Sequence, residues 1–302
     1  MKTFYAKIDT INETSYDTNT MSVITESAER ITVRIDEAIK LDIGEVYCFE
    51  AELITFKDRE QYLIHEHTHL FDAPLTFNER AEKMRHFYPH APVAMDKVKR
   101  AVEAALTSIK NPVVKAITDT IYHKYQDEFY LYPAATKFHH AYIGGLAYHT
   151  QTMLDLADGF VKVYPFLNRD LLIAGIIIHD ICKTTELSDY KAPEYTTEGR
   201  LIGHITEGVK TVAEAAKANQ HYDTEERLLL EHMVLSHHYY GNFGSPKKPN
   251  TPEALALHFI DNIDSKFTVL GEALSTIHKG AFTPPIPVLD REKFYKAKTG
   301  NK

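Results

Sequence analysis

The sequence predicts an α+β multidomain chain, a small N-terminal β-barrel followed by an all-α helical bundle. Three observations carry this. Short runs of alternating β-branched and aromatic residues fill positions 1–75. The segment from Phe71 to Pro92 holds three prolines among its charges, and 76–91 within it reads as a linker. From residue 92 to 302 apolar residues recur at helical spacing.

The strand runs are MKTFYAKIDT, TMSVITES, RITVRI, EVYCFEAELITF and QYLIHEH, separated by NETSYDTN, IKLDIG and KDRE. Four or five short strands in so short a segment suit a small closed barrel of the OB-like size, whose usual ligand is a nucleic acid. A small sheet with a packing or dimerisation role is the alternative. Tyr5, Tyr47, Phe49 and Tyr62 are the aromatics that such a barrel could offer to bases, unless they belong to its core or edge.

In the second part, PVAMDKVKRAVEAALTSIK and PVVKAITDTIYHKYQDEFY each begin with proline, which suits a first helical position. AYIGGLAYHTQTMLDLADGFVKVY has Leu146, Met153, Leu154 and Phe160 at helical spacing, and its Gly144-Gly145 pair falls at a helix start without the spacing of a phosphate loop. RDLLIAGIIIHDICK is apolar nearly all round and predicts a central helix. Asp223-x-x-Glu226 resembles a capping box ahead of EERLLLEHMVLSHH. Thr251-Pro252 opens the last helix, and the tail from Arg291 to Lys302 is basic and reads as exposed.

Composition narrows the class. The 302 residues are 44% hydrophobic and 25% charged, as in an ordinary globular protein. No apolar stretch reaches the ~18 residues of a membrane span, and the first residues lack the apolar centre of a signal peptide. Two cysteines far apart, Cys48 and Cys182, make no disulfide framework or cysteine zinc site and fit a reducing cytoplasm. The net charge of −8 excludes a wholly basic nucleic-acid coat, though not a polyanion substrate at a site whose field a metal reverses.

The unusual count is 17 histidines, ten of them between His139 and His258. His149, the pair His179-Asp180, His204, the pair His237-His238 and Asp261 each sit on or at the end of a different predicted helix. Imidazole and carboxylate together suit first-row divalent metals and leave room for water. A His-Asp pair ending so apolar a helix is costly as packing alone, because a buried carboxylate needs a partner or a metal. Each residue taken singly has an ordinary structural reading. The joint order His, His-Asp, His, His-His, Asp on successive helices does not. His139, His140 and Arg200 lie near these motifs in the chain and are candidates for contact with substrate phosphate. Asp264, three residues after Asp261, is a candidate to support a ligand or to be one.

His149, His179-Asp180 and Asp261 resemble the HD superfamily of metal-dependent phosphohydrolases, and His204 and His237-His238 resemble the added ligands of its two-metal members. The segments FHHAYIGGLAYHT, IIIHDICKTTELS, LIGHI, LSHHYYGNFGSPKKP and ALALHFIDNIDSK are similar to the YhaM family of bacterial 3′-5′ exoribonucleases, which pair an OB-fold with an HD domain. Cys182 stands where HD proteins commonly have glycine.

The resemblance implies one metal held by His149, His179, Asp180 and Asp261. It implies a second held by His204, His237 and His238, with Asp180 bridging. Asp180 and Lys183 would be the catalytic pair, Lys183 neutralising phosphate charge. Two divalent ions are expected, with histidine-rich ligation and the resemblance pointing to Mn²⁺ and leaving Fe, Co or Mg as alternatives. The expected partner is single-stranded RNA, with single-stranded DNA and a homo-oligomeric state left open. The competing functions are an HD-type phosphohydrolase of small or cyclic nucleotides and a non-catalytic nucleic-acid-binding protein.

Overall fold

The computed structural model describes residues 1–14, 17–136 and 140–299, and divides into two compact units, Met1–His90 and Ala91–Lys302. The first unit is a closed five-stranded barrel. Its strands are β1 (Lys2–Asn12), β2 (Thr18–Thr25), β3 (Arg30–Asp36), β4 (Val46–Phe56) and β5 (Arg59–His69). The order around the barrel is β1-β2-β3-β5-β4, closing back on β1. All neighbours are antiparallel except β3 and β5, which run parallel. The barrel is OB-like, as the strand runs predict.

Strand alternation explains the interior. Ala6 and Ile8, Met21 and Val23, Val33 and Ile35, and Phe49 and Ala51 all point inward at period two. Tyr47 and Phe49 are part of this core and do not face a ligand. Tyr62 packs partly against the core, where Lys2 Nζ lies 5.1 Å from its ring centroid. Tyr5 is half-buried, with Lys83 Nζ 4.5 Å from its ring centroid.

The segment expected as a linker contains a helix, α1 (Phe77–Arg85). Thr76 Oγ1 accepts from the Glu79 N–H, and the Glu79 carboxylate accepts from the Thr76 N–H, a reciprocal cap. Lys83 pairs with Glu26 at 2.7 Å and the Tyr88 hydroxyl donates to Gly44 O, so this segment belongs to the barrel unit.

The second unit is helical: α2 (Met95–Thr107), α3 (Pro112–Phe129), α4 (Gly145–Val163), α5 (Arg169–Ile178), α6 (Lys183–Glu186), α7 (Thr197–Leu201), α8 (Gly203–Ala218), α9 (Glu225–Ser236) and α10 (Pro252–Ser275). Asn111, Asn168 and Thr251 cap α3, α5 and α10, with Pro112 and Pro252 just inside two of these starts. The cap of α9 is Thr224, whose hydroxyl accepts from the Arg227 N–H; the expected Asp223 is one residue too early. Helix α5 is the centre: every residue from Leu171 to Ile178 is buried, and α3, α4, α9 and α10 pack around it. The tail is largely exposed, but Lys296 Nζ donates to the carbonyls of Leu274 and Ile277 and so finishes the C-terminal end of α10. Among the described residues no helix is long and apolar enough to cross a membrane.

Candidate metal centre

The apolar α5 ends at the middle of the helical unit, and that is where His179 and Asp180 stand. His149 comes from the second turn of α4, His204 from the first turn of α8, His237 and His238 from the end of α9, and Asp261 from the middle of α10. All seven expected ligands meet. Donor atoms of Asp180, His204, His237 and His238 lie within 4.8 Å of one another, as do those of His149, His179 and Asp261.

Four of the five imidazoles are aimed by their Nδ1. His179 Nδ1 donates to Ile176 O at 2.8 Å, and His237 Nδ1 to Val234 O at 2.8 Å. Both are C-cap residues reaching back to a carbonyl of their own last turn, which the helix itself leaves unsatisfied. The bond that completes the helix end also orients the ring. His204 Nδ1 donates to Glu186 Oε1 at 3.0 Å, and His149 Nδ1 to Asp264 Oδ2 at 2.7 Å. Each of these four Nε2 atoms is thereby aimed inward.

These nitrogens converge on Asp180. Its Oδ2 lies 3.3 Å from His179 Nε2, 4.0 Å from His149 Nε2 and 2.6 Å from Lys183 Nζ. Its Oδ1 lies 3.3 Å from His204 Nε2 and 3.6 Å from His237 Nε2. The two carboxylate oxygens thus face the two ligand groups separately. His149 Nε2 is 3.3 Å from Asp261 Oδ1.

The electrostatics match. Burial alone would raise the Asp180 carboxyl, but Lys183 and then the imidazoles outweigh it and hold it well below the usual carboxylate range. Asp261 is likewise lowered, its burial outweighed by the bond with His149. Burial pushes His237 well down, and His238 adds to this, so His237 stays neutral. His149 goes the other way: burial would lower it, but Asp261 and Asp264 on either side push it up to about 9. The pocket calls for positive charge at that point.

The donor set fits divalent metal on an observation independent of the resemblance. The Nε2 atoms of His179, His204 and His237 and Oδ1 of Asp180 are buried with no hydrogen-bond partner. Four acceptors facing one another in a protein interior are a standing desolvation penalty that a cation removes.

The remaining expected residues fare differently. Lys183 has its ammonium on Asp180, with 13% of the side chain exposed. Arg200 is exposed on α7, where its Nε donates to Tyr195 O. His139 lies outside the described residues. His140, expected to touch phosphate, is fully buried with both ring nitrogens engaged, Nε2 on Asp264 Oδ2 and Nδ1 on the Tyr142 hydroxyl, which places it behind the ligands instead of at a substrate-facing surface. Cys182 is buried beside Thr211, its thiol pushed up to about 11 by burial, and is not among the grouped ligands. Three supports were not foreseen. Glu186 holds the ring of His204; His258 Nδ1 donates to His237 O at 2.7 Å; Ser245 Oγ accepts from the His238 N–H at 3.0 Å.

The HD domain family matches residues 146–266, a span that holds all seven expected ligands. Over 272 residues, 89% of this chain and 79% of the relative, the sequence is 39% identical to the 3′-5′ exoribonuclease YhaM of a Geobacillus species. The chain belongs to the YhaM family. YhaM of Bacillus licheniformis is 44% identical over 214 residues, covering 71% of this chain and 68% of the relative. YhaM of Bacillus subtilis is 42% identical over 210 residues, covering 70% and 67%. No solved structure matches the chain. The first of these YhaM alignments is too long to lie within the helical unit alone, so it extends into the barrel.

Proposed function

We propose that this chain is a metal-dependent 3′-5′ exoribonuclease that hydrolyses single-stranded RNA to nucleoside 5′-monophosphates. The observation that carries the reading is the set of buried, inward-facing acceptor atoms around Asp180, in a chain of the YhaM family. His149, His179, Asp180 and Asp261 would hold one divalent ion, and Asp180, His204, His237 and His238 the other, with Mn²⁺ the expected metal. When bound, such ions supply Lewis-acid polarisation of the phosphodiester and a water nucleophile at neutral pH.

The chain's own residues do the rest. Lys183 keeps Asp180 ionised, so both its oxygens remain acceptors. Backbone carbonyls, Glu186 and Asp264 hold the Nδ1 atoms of His179, His237, His204 and His149, so each Nε2 is aimed inward. Side chains of His149, His179 and His237 are fully buried, whereas Asp261 is 16% and His204 11% exposed, so substrate approaches on the Asp261, His204 and Lys183 side. Arg200, exposed on the helix just before α8, is the cation we assign to the incoming phosphates. The barrel would grip the strand through Lys2 and Tyr62 rather than through the core aromatics. The setting is cytoplasmic.

The test is 5′-labelled single-stranded RNA incubated with the full chain and Mn²⁺, beside DNA and mononucleotide substrates. Stepwise shortening from the 3′ end, release of 5′-monophosphates and complete arrest by a chelator are expected. Shortening that persists with excess chelator overturns the metal requirement. Turnover of mononucleotides with none of RNA overturns the substrate.

A further inference from the structure

We propose that His140, with Tyr142 behind it, is a positioning residue that sets the aim of His149 through Asp264. The proposal rests on the reading of His149 as a metal ligand.

The hydrogen bonds run in one direction. Asp264 Oδ2 faces two imidazole nitrogens, and a carboxylate oxygen accepts. His149 Nδ1 and His140 Nε2 must then both donate to Oδ2, at 2.7 and 2.9 Å. With the His140 proton on Nε2, its Nδ1 is an acceptor, and the Tyr142 hydroxyl donates to it at 2.9 Å. The order is Tyr142 to His140 to Asp264, and His149 to the same Asp264 oxygen. That oxygen is held from two sides, by the loop before α4 and by α4 itself, while its own backbone belongs to α10. The second donor does two things. It removes the freedom of Asp264 to rotate away from His149. It also fixes the carboxylate oxygen that His149 Nδ1 faces, so that Nε2 stays aimed at the ligand cluster.

The chain bends unusually to arrange this. His140 has φ 53°, a left-handed conformation rare outside glycine and concentrated at functional sites. Gly144 has φ 73°, and a Cβ on Gly145 would stand 1.9 Å from the His140 carbonyl oxygen, so the loop can pass under α4 only with a glycine there. The His140 and His149 rings then lie 5.3 Å apart. A histidine that merely filled space would not need this bend, nor a partner for each nitrogen.

Mn²⁺ affinity of the full chain is measured by titration against a competing chelator, alongside kcat and KM on RNA and thermal stability. His140→Leu removes the donor; His140→Gln keeps an N–H donor near Nε2; Tyr142→Phe removes the outer donor. His140→Leu is expected to weaken Mn²⁺ binding by ~10-fold or more, the usual effect of losing an outer hydrogen bond to a metal-ligating histidine. Saturating Mn²⁺ then restores kcat, and KM for RNA does not move. His140→Gln is expected to keep most of the affinity, and Tyr142→Phe to shift it slightly in the direction of His140→Leu. Unchanged Mn²⁺ affinity in His140→Leu overturns the proposal. So does equal impairment of the Leu and Gln variants, or a change confined to KM, which would mean substrate contact. If the Leu variant does not fold, unchanged Mn²⁺ affinity in Tyr142→Phe overturns it. His149→Ala separates the two readings. If that variant binds Mn²⁺ like the parent, the metal centre itself is misassigned. If it loses binding while His140→Leu does not, only the present proposal falls.

Discussion

Replacing Asp180 by alanine and by asparagine should give the same catalytic outcome and different stability outcomes. Alanine leaves the Lys183 ammonium, 13% exposed and 2.6 Å from the lost oxygen, without its partner. Removing one member of a buried pair costs ~3–5 kcal/mol. Asp261 and Glu186, which also attract Lys183, bring the expected value toward ~3 kcal/mol. For a unit of this size that is a fall in Tm of roughly 6–12 °C. Asparagine behaves differently because of what surrounds Asp180. Its amide oxygen can accept from Lys183, and its NH₂ can donate toward the Nε2 atoms of His204 and His237, 3.3 and 3.6 Å from the present Oδ1. Two new hydrogen bonds of ~1 kcal/mol each offset the lost charge-assisted one, so stability should stay within ~1 kcal/mol of the parent. Neither variant can share a carboxylate between two ions, and both should lose hydrolysis and Mn²⁺ stoichiometry. Thermal unfolding in excess chelator, elemental analysis and RNA hydrolysis read all three quantities. Near-normal turnover in either variant would remove Asp180 from the site. Equal destabilisation of both would show that the Nε2 atoms do not point inward as acceptors.

Three further expectations follow from individual contacts. Glu186→Ala frees the His204 ring and should weaken one of two Mn²⁺ binding events by ~10–100-fold while leaving the other, as a two-phase titration would show. Gly145→Ala places a methyl 1.9 Å from the His140 carbonyl and should destabilise the helical unit by ~3 kcal/mol or more, measured by chemical denaturation; a wild-type transition would contradict the tight approach. Residues 91–302 alone should still hydrolyse a dinucleotide, but should lose ~10²-fold or more in affinity for long RNA if two or three stacked bases leave with the barrel. Equal losses on both substrates would show that the barrel serves only stability.

The seven proposed ligands are legible because each marks a helix end or face with a residue that packing alone does not ask for. His179-Asp180 after Ile176–Ile178 is the clearest case. Their supports are less legible. Glu186 and His258 act through contacts that only the fold creates, and neither differs in the sequence from an ordinary helix residue. The role of His140 is hidden for the same reason. A histidine beside a metal motif can face substrate or pack behind a ligand, and burial decides between them. The helix α1 is another matter, since Thr76-x-x-Glu79 is a capping signal present in the sequence, outweighed by the prolines around it. The alternation of the strands made the barrel readable, and the same alternation places Tyr47 and Phe49 inward, away from any strand of RNA.

The parallel join between β3 and β5 has a consequence for how the barrel comes apart. That join has two registered positions, Val33 with Tyr62 and Arg34 with Leu63, where β2 and β3 have seven. Unzipping it alone turns the barrel into an open antiparallel sheet of order β3-β2-β1-β4-β5 with every other ladder intact. Amide hydrogens along β3 and β5 that face this seam should therefore exchange with solvent before those of β1. The opened sheet would show two edges, and both carry charges that discourage another strand from adding: Arg30 and Arg34 on one, Arg59, Glu60 and Glu66 on the other. Arg34 also lies 4.0 Å over the Phe56 ring and donates to Thr18, so one side chain both latches the seam and guards the edge its release would expose.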